Sequence, residues 1–134
     1  MTEAKARIVI VDDDQEMRSL LEDFLLNGGY NVKVFSTAVE AVDALGPDGI
    51  LSSTQPDGDI DVIISDMARP PDQHAGYTLL DQLRASGNLT PFVIYSGSNA
   101  PEHRAEARRR GALGATNRAS ELFSYVLAAI NTRS

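Results

Sequence analysis

The chain has 134 residues, 43% hydrophobic and 23% charged, with no cysteine and a formal net charge of −7. That length suits one domain, 1–134, large enough to bury a core unaided, and the missing cysteines exclude disulfides, thiolate zinc sites and cysteine nucleophiles. The negative balance speaks against direct contact with nucleic acid; the polar start and the lack of a long apolar stretch speak against a secretory signal or membrane insertion, so a cytoplasmic location is expected.

Apolar runs rich in β-branched residues alternate with stretches whose apolar residues recur at helical spacing, the pattern of βαβ units around a parallel sheet. The first strand, expected at Arg7–Asp12, runs into Asp12-Asp13-Asp14. A helix follows the triplet, with Met17, Leu20, Leu21, Phe24 and Leu25 on its buried stripe and Gly28-Gly29 as its stop. The second strand is expected at Asn31–Phe35, and the second helix carries Ala38, Ala41, Val42 and Leu45 up to Gly46-Pro47. Residues 49–59, rich in Gly, Ser, Pro and Asp, read as a long surface loop. The third strand, Asp61–Asp66, again closes on an acid, ahead of Arg69-Pro70-Pro71. A third helix starts near Gly76, buries Leu79, Leu80 and Leu83, and stops around Ser86-Gly87. The fourth strand is expected at Pro91–Ser96. The fourth helix takes Asn99 as its N-cap, with Glu102 three residues on and Pro101 in the first turn, and ends at Gly111. Its apolar stripe is thin, so it is expected to be loosely held. Arg104 and Arg108-Arg109-Arg110 on it read as a solvated face suited to the helix dipole, with a partner-docking face as the alternative. The last strand, Leu113–Thr116, leads to a fifth helix from Ser120 that presents Leu122, Phe123, Val126, Leu127 and Ile130. Short, uniformly apolar strands suit a sheet covered on both faces.

In an open parallel sheet, ligands bind outside the carboxyl ends of the strands, where the strand order reverses. Asp12, Asp13, Asp66 and Ser96 all fall at such ends. Acids gathered in one place repel each other, and a hard divalent cation that prefers oxygen ligands relieves the repulsion. Asp14 fits a different role, the N-cap of the first helix.

Four pieces occur in order: Ile8-Val9-Ile10-Val11-Asp12-Asp13-Asp14; Val62-Ile63-Ile64-Ser65-Asp66 with Pro70 and Gly76-Tyr77-Thr78-Leu79-Leu80; Pro91-Phe92-Val93-Ile94-Tyr95-Ser96-Gly97; and Gly111-Ala112. This set resembles the receiver domain of response regulators in two-component phosphorelay systems, over essentially the whole chain. The resemblance implies a flavodoxin-like, doubly wound α/β fold: a five-stranded parallel sheet of order 2-1-3-4-5 with five helices. It implies that Asp66 is the phosphoacceptor, taking a phosphoryl group from a phosphohistidine on a histidine kinase or histidine phosphotransfer protein. By the same likeness Mg²⁺ (or Mn²⁺) is bound by Asp13 directly, by Asp12 through water, by Asp66 itself and by the backbone carbonyl of Ala68. Ser96 resembles the switch hydroxyl that reaches toward the phosphoryl group, and Gly97 leaves room beside it. Output is expected as altered binding to a downstream protein partner, with no enzymatic activity beyond self-phosphorylation and self-dephosphorylation. A phosphatase using Asp66 as nucleophile would usually carry a second acid two residues on, where Ala68 stands.

The chain also departs from that pattern. Arg118-Ala119 stands where the family has lysine and proline; arginine keeps the charge and can fork onto phosphate oxygens but is longer and planar, and the alternative is an exposed arginine ahead of the last helix. Ala115 occupies the position of an aromatic that swings inward with the switch hydroxyl. Tyr95 adjoins Ser96 and should point to the opposite face, as a structural residue. The loop between Asp66 and Gly76 is longer than the family pattern: His74 reads as a solvated loop residue, and Arg69 either screens the acids or meets a partner. Ala68 and Ser98 cannot hold an attacking water as a carboxylate or amide would, so slow self-dephosphorylation is expected. The alternative to a working switch is a divergent pseudo-receiver, a constitutive protein-interaction module uncoupled by Arg118 and Ala115. The chain reads as a stand-alone receiver or as part of a larger protein.

Overall fold

The computed structural model describes residues 7–45, 60–67, 75–95 and 100–133. Strands and helices alternate along them: β1 (Arg7–Val11), α1 (Gln15–Asn27), β2 (Asn31–Phe35), α2 (Ala38–Leu45), β3 (Val62–Ser65), α3 (Ala75–Ala85), β4 (Phe92–Tyr95), α4 (Pro101–Arg109), β5 (Gly114–Thr116) and α5 (Ala119–Arg133). All pairings are parallel, in the order β2-β1-β3-β4-β5. This is the flavodoxin-like, doubly wound sheet the motifs implied, and its order reverses between β1 and β3.

Side chains alternate across each strand. Val9, Val11, Ile63, Phe92 and Ile94 pack with residues of α2, α3 and α4, whereas Ile8, Ile10, Val62, Ile64 and Val93 pack with α1 and α5. The central strands β1, β3 and β4 are buried on both faces, which is why they read as continuous apolar runs. At the sheet edge β2 departs from that expectation, being exposed or half-buried along its length.

The helical stripes are narrower than the sequence suggested. In α1, Leu21 and Leu25 are buried but Leu20 is 66% exposed; in α5, Leu122, Val126 and Ala129 face the sheet and Leu127 is 38% exposed. A residue one position off the i, i+4, i+7 line is rotated by about 100° and leaves the contact. The Asp14 side chain caps α1, accepting from the N–H groups of Glu16 and Met17.

The expected N-cap of α4 is corrected: Ala100 occupies that position and makes no side-chain capping bond, while Asn99 lies outside the described residues. Pro101 begins the helix instead, with its φ preset and no N–H to satisfy. Ala107 is the residue α4 buries. Polar contacts on both flanks supply the rest. Arg104 pairs with Glu121 of α5 at 3.0 Å; Arg110 pairs with Asp81 of α3 at 2.9 Å and lies 4.4 Å over the ring of Tyr77. The Tyr77 hydroxyl donates to the His103 carbonyl at 3.3 Å. The arginine row is therefore more than a solvated face, since Arg104 and Arg110 tie α4 to its neighbours. The loop expected at 49–59 lies outside the described residues. Among the described residues, no helix is long and apolar enough to cross a membrane.

Candidate functional site

Two ladder hydrogen bonds carry the sheet one step past its formal ends. The Asp12 N–H donates to the Phe35 carbonyl at 3.1 Å, and the Asp66 N–H donates to the Val11 carbonyl at 3.0 Å. Because Val11 and Ser65 are in register, Asp12 and Asp66 come out side by side at the switch point. Both are buried, while Asp13 is exposed. One carboxylate oxygen from each of Asp12, Asp13 and Asp66 lies within 4.8 Å of the others. The Asp13 N–H is directed at Oδ2 of Asp66, 3.4 Å away, and the Asp14 N–H donates to Oδ1 of Asp12 at 2.8 Å.

The backbone behind Asp66 is also fixed. The Ser65 hydroxyl donates to the Asp66 carbonyl at 2.8 Å, and the Gly76 N–H donates to the Met67 carbonyl at 2.8 Å. A Cβ on Gly76 would stand 2.5 Å from the Asp66 carbonyl oxygen, so α3 is seated directly on this junction.

Burial raises Asp12 above the ordinary aspartate value of 3.8, and the charges of Asp13 and Asp14 push the same way; hydrogen bonds from the Asp14 N–H and with Asp66 oppose them. Oδ1 of Asp66 is buried and accepts no hydrogen bond from the described residues. Three converging carboxylates form a hard-oxygen donor set that suits a divalent cation.

The sequence matches the response regulator receiver domain model over residues 8–120. The chain belongs to the response regulator receiver family. It is 28% identical over 106 residues to the response regulator MprA of Mycobacterium avium (strain 104), covering 79% of this chain and 41% of that protein. It is 30% identical over 105 residues to the Regulator of RpoS of Escherichia coli (strain K12), covering 78% of this chain and 28% of the relative. The chain thus spans well under half the length of these relatives. Among solved structures, the Francisella response regulator 1452 receiver domain superposes with a TM-score of 0.81 at 21% identity, covering 97% of this chain and all of the other. At that identity the likeness speaks for the fold.

In this receiver, Ala68 and Ser96 lie outside the described residues, as do Arg69, His74, Gly97 and Ser98. Arg118 is exposed; its N–H donates to Oγ1 of Thr116 at 3.1 Å, and its carbonyl accepts from the Leu122 N–H at 3.0 Å. Its charge acts on Glu121, which is held below the usual carboxylate range by a hydrogen bond from Thr116, by Arg104 and, less, by Arg118. No described hydrogen bond or ion pair joins the Arg118 side chain to the acidic cluster. Ala115 is buried beside Ile94 on the face covered by α2, α3 and α4. Tyr95 is half-buried on the other face, at an apolar cavity of about 230 Å³ between α1 and α5. Two polar residues escaped the sequence reading. Thr116 is fully buried and joins Arg118 to Glu121. Arg18 donates through Nη1 to the Asp12 carbonyl at 2.8 Å.

Proposed function

We propose that the chain is a phosphorylatable receiver acting in the cytoplasm as one unit over residues 1–134. Asp66 attacks the phosphorus of a phosphohistidine on a histidine kinase or histidine phosphotransfer protein. The P–N bond breaks, its electron pair stays on the imidazole nitrogen, and a P–O bond to Asp66 forms. Phosphoryl transfer asks the protein mainly for positioning and charge neutralisation. The observation that carries this reading is the convergence of Asp12, Asp13 and Asp66 within 4.8 Å at the sheet's switch point. Asp12, Asp13, Asp66 and the carbonyl of Ala68 are the groups that would hold Mg²⁺ (or Mn²⁺). When bound, such a cation supplies charge neutralisation at the phosphoryl oxygens and the acceptor. Ser96 is the proposed switch hydroxyl, Arg118 a phosphate contact in place of lysine, and the output a change in binding to a downstream protein.

Incubation with Mg²⁺ and acetyl phosphate should add one phosphoryl mass to the wild type and none to Asp66→Asn. An unchanged wild-type mass under conditions that modify ordinary receivers refutes the proposal. One observation favours a second reading, a pseudo-receiver that binds its partner constitutively: the Arg118 backbone is tied to Thr116 and its charge acts on Glu121. Amide exchange separates the two. Phosphorylation that leaves α4 unchanged supports the constitutive module, and a change in α4 supports the switch.

A further inference from the structure

The peptide unit joining Asp12 to Asp13 is held from both sides. Its carbonyl accepts from Nη1 of Arg18 at 2.8 Å, and its N–H is directed at Oδ2 of Asp66 at 3.4 Å. In a trans peptide these two groups lie in one plane and point in opposite directions, so fixing one aims the other. The flanking backbone is anchored separately. The Asp12 N–H bonds to β2 at 3.1 Å, and the Asp14 N–H bonds to Oδ1 of Asp12 at 2.8 Å. Asp14 in turn caps α1. The 12–13 peptide lies between the end of the strand ladder and the helix cap, where neither orients it. A backbone carbonyl in such a position needs a partner from elsewhere, and Arg18 supplies it from α1. A charge-assisted bond to the carbonyl also polarises the peptide and makes its N–H a better donor.

We propose that Arg18 is a positioning residue for the acceptor: by gripping the Asp12 carbonyl it aims the Asp13 N–H at Oδ2 and so restrains rotation of the Asp66 carboxylate about Cβ–Cγ. The inference rests on the reading of Asp66 as phosphoacceptor. A carboxylate held in one orientation presents the attacking oxygen to the incoming phosphorus in a larger share of encounters, and small misalignments at reacting atoms are costly in rate. Arg18 is half-buried, so its aliphatic stem and its guanidinium have separable roles. Arg18→Met keeps the stem and removes the donor; Arg18→Lys keeps a cationic donor.

The test compares the wild type, Arg18→Met and Arg18→Lys in the full chain. Adduct formation from acetyl phosphate is followed by intact mass at saturating Mg²⁺, and exchange of the Asp13 amide by NMR without metal. Arg18→Met is expected to phosphorylate about tenfold more slowly with Mg²⁺ saturating, and Arg18→Lys to recover most of the rate. Exchange at the Asp13 amide should rise about tenfold in Arg18→Met while the Asp12 amide, bonded to β2, stays as in the wild type. A purely structural role for Arg18 would move both amides together, and that result overturns the proposal. So does an Arg18→Met rate within about twofold of the wild type, or unaltered exchange at Asp13. A wild type that forms no adduct refutes the phosphoacceptor reading instead, and the Asp13 amide still decides whether Arg18 holds the peptide.

Discussion

Replacing Gly76 by alanine tests whether α3 is seated on the backbone at Asp66, the end of β3. Gly76 is not among the glycines with positive φ, so the obstacle is space rather than backbone strain. The added Cβ would stand 2.5 Å from the Asp66 carbonyl oxygen and 3.1 Å from Cα of Met67, where ordinary contact begins at 3.4 Å. Both neighbours are backbone and cannot swing aside, so α3 and the 66–67 segment must separate by about 1 Å. Overpacking of that kind costs about 1–3 kcal/mol. The separation also strains the 2.8 Å bond from the Gly76 N–H to the Met67 carbonyl, worth about 1 kcal/mol. A total of about 2–4 kcal/mol corresponds to a fall in Tm on the order of 10 °C. Because the displaced carbonyl belongs to Asp66, phosphorylation by acetyl phosphate should drop by about a hundredfold at a temperature where the variant is still folded. Gly29→Ala is the control: its φ of +89° makes alanine strained, but nothing lies within 4 Å. It should cost about 1 kcal/mol and leave the phosphorylation rate alone. Denaturant melts that put Gly76→Ala within about 0.5 kcal/mol of the wild type, with an unchanged rate, would refute the reasoning.

Other perturbations bear on the site and on the flanks of α4. Burial raises Asp12 above 3.8 in the folded chain, so the folded state binds that proton more tightly than the unfolded one. Metal-free stability from this group is thus complete below 3.8 and lost as pH rises through the folded value. In EDTA at neutral pH, Asp12→Asn should melt above the wild type, with the gap closing in acid and reversing at neutral pH when Mg²⁺ is added; a wild type that melts higher in EDTA at pH 7 contradicts this. Gly114→Ala places a Cβ 2.5 Å from Cζ of Tyr125, a side chain whose far end can move. The substitution should cost about 1 kcal/mol alone and almost nothing in a Tyr125→Ala background, and additive melts would refute that contact. The Arg104–Glu121 pair should couple weakly in a double-mutant cycle and lose most of that coupling in 1 M salt; full coupling at high salt would place the pair in a drier setting than its exposure indicates. Ala68→Asn or Ala68→Glu should alter the lifetime of the phosphorylated state measured by decay of the adduct mass, and an unchanged lifetime would remove Ala68 from the hydrolytic step.

The strands and the acidic ends were legible because a buried parallel strand must be apolar throughout, so a carboxylate at its terminus stands out. Register then brings Asp12 and Asp66 together without any further signal, since Val11 and Ser65 are paired. Periodicity served the helices less well, because it does not measure how wide a stripe the sheet can cover. Leu20 and Leu127 match the period yet fall outside the contact, while Ala129, too small to attract notice, lies within it. The Arg18 bond to the Asp12 carbonyl joins a side chain to backbone six residues away and leaves no trace in hydropathy or charge pattern. Thr116 was hidden because a threonine in a strand ordinarily signals β propensity, whereas here its hydroxyl is shared between the Arg118 N–H and Glu121. At α4 a favourable local rule, Asn99 with Glu102, gave way to Pro101, which needs no capping side chain.

The contacts around Gly76 connect the backbone of Asp66 to α4. The Asp66 carbonyl packs on Gly76, and the next residue, Tyr77, reaches α4 through its hydroxyl on the His103 carbonyl and through its ring beneath Arg110. The two ends of that route are held very differently. Leu79, Leu80 and Leu83 fix α3 in the core, whereas α4 buries Ala107 and relies on ion pairs whose partners are half-buried or exposed, each worth little. An element held in this way lies near the low end of the stability range within a domain. Repositioning α4 therefore costs less than disturbing any helix that contributes leucines to the core. A perturbation at the β3–α3 junction meets α3 as a rigid support and α4 as the part that yields.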